Sequence, residues 1–510
     1  YGTFMRRVLT TSQAYELDRR ASADFNISGE SLMGNAGSAI ANFISKHPFD
    51  KNVKSIAVVV GKGNNGGDGF SAALELDKLN FDVSIFSIYR HEKLSKDSLL
   101  FFKKCKENQI PISEGSRPPF GENFDLIVDA ILGIGFSGHL RSELSEWVEW
   151  INLNPTILCC DAPTGLNSYN GLISNPTVKA THTLTMGFPK VGHCIEPGKS
   201  YSGKTMAIDI GFPNIENQLS GVVWRLIDSN CVDKVIKPLN KASNKYTQGK
   251  VLVLAGSRGM TGAAYLSSMS ALRSGAGLVK VFAPKSLSDI YERKITEGIT
   301  VSCEDDGEGN FKEKNFDIIM DHVEWADAVL IGPGLGSSRE TIDLLSMLYK
   351  KIDKPLVIDA DGLRPFYKNR DVLKQLQCVL TPHHGELSRL LSISSGELQR
   401  DLVKHIEGFV SEYPSVLLAK QPSSIIAHNI FGFINSSGNP GLATAGTGDV
   451  LSGMVTAFIA QGYNLVESSY ISTYIHGHVA DKMSKRISER GLIASDLLMG
   501  IASNLSKYES

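Results

Sequence analysis

Near-continuous apolar, β-rich runs recur along almost the whole chain, each closing on Gly, Asp or Pro and each followed by a stretch of helical spacing. In the first half these runs are Ile56–Val60, Leu126–Leu132, Thr156–Cys160 and Thr181–Met186. In the second they are Val251–Ala255, Leu278–Ala283, Ala328–Ile331, Leu356–Ile358, Val379–Leu380 and Val416–Ala419. Strands without a polar face that alternate with helices belong in parallel sheets covered on both sides. Both halves are therefore predicted to be α/β. A chain of 510 residues exceeds one ordinary core, so two or three domains are expected. Between Gly211 and Gln248 the periodicity fades, while Pro213, Asn214, Pro238, Asn240, Asn244 and Lys245 accumulate. The predicted division is a first domain over 5–215, a connecting segment over 216–245 and a second domain over 246–508. Tyr1-Gly-Thr-Phe4, ahead of Met5, reads as a cloning remnant and is set aside.

Composition narrows the class of partner. The formal net charge is -2, which gives no electrostatic reason to expect nucleic acid or an acidic membrane. No apolar run is long enough to cross a bilayer, and no signal-peptide core is evident. Seven cysteines are scattered, with only Cys159 and Cys160 adjacent and no C-x-x-C pair. That pattern suits reduced thiols in a cytoplasmic protein better than a disulfide framework or a zinc site.

After Ile56–Val60 comes Gly61-Lys-Gly-Asn-Asn-Gly-Gly-Asp-Gly69, then the helical stretch Phe70–Leu79. Gly61, Gly63 and Gly66 satisfy G-x-G-x-x-G between a strand and a helix, a context in which backbone amides bind phosphate. The next strand, Val83–Ile88, ends in Tyr89-Arg90 rather than in the acidic residue that grips a ribose. A plain dinucleotide dehydrogenase is disfavoured. Asn and Gly also tolerate positive φ, so a structural turn would explain part of this segment. Two more strand ends carry polar groups, Asp129-Ala-Ile-Leu-Gly-Ile-Gly-Phe-Ser-Gly138 and Asp161-Ala-Pro-Thr-Gly165. In open α/β sheets ligands sit at the carboxyl ends of strands, so the three loops can meet in one crevice. Oxygen ligands from Asn65, Asp129 and Thr164 would suit a hard cation rather than zinc. Asp161 could exchange a proton with a substrate, or merely cap the following turn.

Gly63-Asn-Asn-Gly-Gly-Asp-Gly69, Val128-Asp-Ala-Ile131 and Asp161-Ala-Pro-Thr-Gly165 resemble, in order and spacing, the motifs of NAD(P)H-hydrate epimerases. The resemblance implies a Rossmann-like α/β/α sandwich. It implies that Asn64, Asn65, Gly66, Gly67 and Asp68 bind the hydrated cofactor. Gly133, Ile134, Gly135, Phe136, Ser137, Gly138 and His139 would form a second substrate loop, with Asp161 a substrate contact. Asn65, Asp129 and Thr164 would hold potassium; the family usually has Ser in the last place, and Thr164 keeps the hydroxyl.

In the second half, Val251–Ala255 runs into Gly256-Ser-Arg-Gly-Met-Thr-Gly262, and no P-loop sequence occurs. Gly446-Thr-Gly-Asp449 leads into Val450–Ala460, where Val450, Leu451, Met454, Val455, Phe458 and Ile459 repeat at helical spacing. Gly446–Gly448 is thus predicted to be a helix N-terminus with free amides, able to hold an anion and stabilise a transferring phosphoryl group. Asp449 could accept the proton of an attacking hydroxyl, or simply complement the helix dipole. His383 on its own reads more readily as a turn residue than as a site residue, and only the surrounding motif reverses that. His476 and His478 receive no role, since residues two apart do not share a helix face.

This segment resembles the anion hole of ribokinase-like enzymes. Gly332-Pro-Gly-Leu-Gly336, Asp359-Ala-Asp361, Thr381-Pro-His383, Gly385-Glu386 and Asn439-Pro-Gly441 together resemble the NAD(P)H-hydrate dehydratases, from about Gly249 to Leu497. By position, Ala263, Gly336, His383 and Asp449 would face the hydrated nicotinamide. Lys420, Gln421, Pro422, Ser423, Ser424 and Gly448 would face the nucleotide. Departures are Asn244-Lys-Tyr for His-Lys-Gly, His384 for Pro, Gly362 for Ala and Gln421 for Gly.

The two resemblances imply a fused enzyme that epimerises hydrated NADH or NADPH and dehydrates one epimer, with Asp449 and Asp161 in the chemistry. ADP or ATP with magnesium would be co-substrate, ADP being usual in fused members, and a cytoplasmic homo-oligomer is expected. The alternative is a ribokinase-like small-molecule kinase with a non-catalytic binding domain in front.

Overall fold

The computed structural model describes residues 5–47, 49, 53–115 and 117–508, so Tyr1-Gly-Thr-Phe4 lies outside the described residues. The chain forms two compact units, Arg7–Trp224 and the residues from Arg225 onward together with Met5 and Arg6. The stretch 216–245, expected to be a connector, contains the strand Val223–Ile227 and the helix Ser229–Val235. Ile227, Cys231 and Val232 enter the core of the second unit. These short apolar elements leave too little periodicity to register in the sequence.

The first unit is built on a seven-stranded parallel sheet. Its order is Ile112–Glu114, Asp82–Ser87, Ser55–Val60, Leu126–Ala130, Ile157–Cys160, His182–Met186, Lys204–Ile208. The order runs outward from Ser55–Val60 on one side, then restarts at Leu126–Ala130 on the other. That reversal opens a crevice at the carboxyl ends of these two strands.

The helix after the first glycine-rich turn spans Asn64–Lys78, so it begins six residues before the expected Phe70 start. Glycine lowers intrinsic helicity, which hid this turn from the sequence. The tertiary structure needs those glycines: a Cβ on Gly66 would stand 2.1 Å from the Gly61 carbonyl oxygen. Asn64, Asn65 and Asp68 consequently project from a helix N-terminus instead of a loop.

Among the described residues, nine strands lie wholly inside the second unit. Their order is Phe431–Asn435, Ile425–His428, Val416–Ala419, Cys378–Leu380, Leu356–Ile358, Ala328–Ile331, Lys250–Leu254, Leu278–Pro284, Ile299–Cys303. The first two form an antiparallel hairpin and the rest run parallel. The order reverses between Lys250–Leu254 and Ala328–Ile331, and Gly256 N donates to the Pro333 carbonyl at 2.7 Å to join the two following loops.

Helix Thr447–Ala460 buries Val450, Leu451, Met454, Val455, Phe458 and Ile459 as expected, but Ser452, Gly453, Thr456 and Ala457 are buried too. It packs against helices Thr261–Arg273 and Leu465–Ile487 as well as the sheet, so it is a central helix rather than an amphipathic surface one. All seven cysteines are buried free thiols. Among the described residues no helix is long and apolar enough to cross a membrane, and no cluster of three or more His, Cys, Asp or Glu side chains could hold a metal ion.

Candidate active sites

At the switch point of the first unit lies a cavity of about 960 Å³. Asn64, Asn65, Asp68, Gly133, Ile134, Gly135, Phe136, Ser137, His139 and Asp161 all line it. Gly66 and Gly67 do not: the first packs on the Gly61 carbonyl and the second on Met33. Gly138, in left-handed conformation at φ 82°, is also off the wall.

Asp161 holds a left-handed φ of 61° at the end of its strand. The Lys190 ammonium lies 2.6 Å from its Oδ1, which also accepts from the Thr185 hydroxyl at 3.0 Å and the Met186 amide at 3.0 Å. Burial alone would raise this carboxyl, but the Lys190 charge and the donated hydrogen bonds outweigh it and hold it below its ordinary value. Asp68, on the same cavity, goes the other way. Burial, with Asp161 and Asp18 nearby, pushes it well above the carboxylate range. Two carboxyl groups of one cavity are thus shifted in opposite directions.

Below the wall, Asp129 and Thr164 are both fully buried. Asp129 Oδ1 accepts from the Thr164 hydroxyl at 2.8 Å and its Oδ2 from the Thr164 amide at 2.8 Å. Leu132 N donates to Thr164 Oγ1 at 3.1 Å, tying the second loop to the pair. Asn65 faces Gly133, and its side-chain Oδ1 and Nδ2 are buried with no partner among the described residues. An oxygen-rich pocket with an unanswered amide and a buried carboxyl fits a hard, weakly held cation.

In the second unit, Gly446 caps helix Thr447–Ala460 at φ 90°, a conformation glycine adopts without cost. The first amides of that helix lack intrahelical acceptors by construction of the α-helix. Asp449 sits in this first turn, where burial first and then Asp359 push its carboxyl up to about 7. Lys420 approaches from the end of Val416–Ala419: its ammonium is 2.6 Å from Asp359 Oδ1 and 3.0 Å from where a Cβ on Gly448 would stand. Burial would lower this lysine, but Asp359 and Glu386 more than compensate, so it is a firm cation. A cation, helix amides and a carboxyl poised to accept a proton meet here, the equipment of phosphoryl transfer.

The remaining expected residues surround this point. His383 accepts the Gly385 amide at 3.0 Å through Nδ1, and its Nε2 lies 3.3 Å from Glu386. Gly336 N donates to Asp361 Oδ2 at 2.9 Å, and Arg364 holds the other oxygen at 2.7 Å. Ala263 abuts Gly334 at the junction of the two strand-end loops. At the nucleotide edge, Gln421 Nε2 and Ser423 Oγ are buried without partners among the described residues, Ser424 donates to the Gln421 carbonyl, and Pro422 is exposed.

Sequence reasoning missed Lys190, Tyr15 and Asp18 in the first cavity and His476 in the second site. Lys190 follows the strand His182–Met186, the next after Ile157–Cys160, so extending the strand-end reading by one strand would have found it. His476 had no such signal.

Fold and sites define an α/β protein with two active sites of different chemistry, the second of ribokinase-like type. A ribokinase-like superfamily protein from Enterococcus faecalis superposes with a TM-score of 0.50 at 25% identity, covering 56% of this chain and 97% of that one. Residues 251–502 match the family described as NAD(P)H-hydrate dehydratase, and residues 29–192 the family described as YjeF-related protein N-terminus. The bifunctional NAD(P)H-hydrate repair enzyme of Moorella thermoacetica is 32% identical over 504 residues, 96% of this chain and 95% of that protein. That of Dictyoglomus turgidum is 32% identical over 504 residues, 96% and 97% of the two chains. The chain belongs to the family of bifunctional NAD(P)H-hydrate repair enzymes.

Proposed function

We propose that the first unit interconverts the two epimers of hydrated NADH or NADPH, and that the second dehydrates the S epimer using ADP. The observation that carries the dehydratase reading is the placement of Asp449 in the first turn of a glycine-capped helix, near the Lys420 ammonium. Hydroxide leaves poorly from the ring carbon, so the hydroxyl must first be made a better leaving group. Asp449 takes its proton as the oxygen attacks the terminal phosphoryl of ADP, while the helix amides and Lys420 bear the developing charge. The ring nitrogen's lone pair then expels phosphate, and loss of a proton from the neighbouring carbon restores the dihydropyridine. The products are NADH, inorganic phosphate and AMP. Magnesium enters as the counter-ion of the nucleotide's phosphates.

In the first unit Asn65 Oδ1, Asp129 and Thr164 would hold potassium, supported by the unanswered amide of Asn65 and the buried Asp129. Potassium would supply charge to offset that carboxylate and rigidity to the loop 133–139. Asp161 or Asp68 moves the proton that epimerisation requires.

The test is recovery of NADH absorbance from a mixed-epimer NADH hydrate plus ADP. Complete recovery is expected. Recovery that stalls partway would mean an inactive first unit, and a phosphorylated end product without NADH would favour a small-molecule kinase.

A further inference from the structure

Lys190 is an unusual residue to find in the wall of this cavity. Its side chain is 2% exposed, yet its ammonium touches the cavity's ionised carboxylate, Asp161, at 2.6 Å. Its other donors go to the Thr185 hydroxyl at 2.8 Å and the Met186 carbonyl at 3.2 Å. No part of the sheet depends on this cation for pairing, since the strand His182–Met186 is already bonded on both sides. A buried pair of this kind rarely stabilises a fold relative to apolar packing. A role in setting the charge of the cavity accounts for it better.

The groups facing Asp161 come from every surrounding element. Tyr15 and Asp18 lie on helix Thr11–Phe25, Asp68 on helix Asn64–Lys78, and Lys190 and His193 on the segment after His182–Met186. Burial holds His193 down to about 3, so it is neutral, and Lys190 is the cation paired with Asp161. Tyr15 and Asp18 are both shifted upward by burial and by Asp161.

On the epimerase reading given above, we propose that Lys190 is the positioning residue that makes Asp161 the base and leaves Asp68 the acid of a ring-opening epimerisation. The hydroxyl-bearing carbon is a hemiaminal, bonded to both oxygen and ring nitrogen. Asp161 takes the hydroxyl proton, the oxygen's electron pair forms C=O, the carbon–nitrogen bond breaks, and nitrogen receives its proton from Asp68. The open-chain aldehyde rotates, and the reverse steps close the ring on its other face. Electrons and protons balance, with no other reactant. A base held down by the Lys190 charge beside an acid shifted up by burial suits this route. Expulsion of the hydroxyl as water needs no base at Asp161.

The experiment uses the full chain without ADP, purified R epimer of NADH hydrate, and chromatographic separation of the two epimers. Lys190→Met should lower kcat at least a hundredfold with little change in KM, and move the acid limb of the pH–rate profile upward by more than one unit. Lys190→Arg keeps the charge and should restore the limb and much of the rate. Asp68→Asn should lower kcat and remove the alkaline limb. Substrate carrying ¹⁸O in the hydroxyl should keep its label through one turnover. Wild-type rate and an unmoved acid limb in Lys190→Met would overturn the proposal, as would complete loss of label. Should Lys190→Met fail to fold, a fully active Asp68→Asn that keeps its alkaline limb overturns it equally. A wild-type chain that epimerises nothing would instead defeat the epimerase reading itself.

Discussion

His476 donates its Nε2–H to the Thr447 carbonyl at 2.9 Å, reaching from the long helix Leu465–Ile487 to the turn that carries Asp449. Burial presses this imidazole down to about 4, so it stays neutral and the donor is fixed on Nε2. Its partner is the first residue of the helix that carries Asp449. His476→Leu should therefore let that turn shift by a fraction of an ångström and cost about ten- to a hundredfold in dehydration, the usual sensitivity of positioned chemistry. Epimerisation should be untouched. Assaying the two reactions separately checks this, and equal losses in both would point to general destabilisation.

Asp449 gives a prediction with a sign. With its carboxyl pushed up to about 7, it would serve as the proposed base only when ionised. The dehydration rate should rise with pH through about 7 and then level off. For stability the direction is opposite. A carboxyl raised on folding binds its proton more tightly in the native state, so stability falls as pH rises from about 4 to 7. Asp449→Asn removes that cost. It should be inactive in dehydration, yet more stable at pH 8 by roughly 1–2 kcal/mol after allowing for partial exposure, with no gain near pH 4. Thermal melting at both pH values decides it.

Much of this was readable in the chain itself. The apolar runs marked most of the inner strands, though not Ile112–Glu114, Lys204–Ile208, Ile299–Cys303 or the hairpin of Ile425–His428 and Phe431–Asn435. Gly446-Thr-Gly-Asp449 before an apolar helical repeat marked the start of helix Thr447–Ala460. Both signals are local. The Asp161–Lys190 pair is harder to see: 29 residues separate its members, and only the end of the next strand, His182–Met186, leads to Lys190. The helix start at Asn64 escaped because local propensity and tertiary packing disagree over Gly66, Gly67 and Gly69. His476 was passed over for want of a metal-binding spacing, while its actual partner is a backbone carbonyl.

The proposed cation site predicts an ion dependence that activity and stability should share. Asp129 is fully buried and raised by burial, so a cation beside Asn65 and Thr164 would favour its ionised form. At about a hundred times its dissociation constant, potassium would add about 2.7 kcal/mol to the first unit. Melting and epimerisation in potassium chloride should exceed those in lithium chloride of equal ionic strength. Asp129→Asn should abolish the difference, and identical wild-type behaviour in both salts would remove the cation from the site.

Gly66 tests whether the first turn of helix Asn64–Lys78 must lie where it does. A Cβ there would meet the Gly61 carbonyl oxygen at 2.1 Å, and that atom is backbone with little room to give, since Gly61 N is itself bonded to Ala130 O at 3.1 Å. Gly66→Ala must therefore push the helix N-terminus away from the switch point, carrying Asn64, Asn65 and Asp68 with it. Strain of this kind costs about 1–3 kcal/mol. Epimerisation should fall at least a hundredfold, while dehydration of the S epimer by the second unit persists. Gly63→Ala supplies the contrast in stability: its φ is -92° and a Cβ would meet nothing within 4 Å. Its melting temperature should match the wild type, and a Gly66→Ala protein that melts and epimerises like the wild type would show that the helix start tolerates displacement.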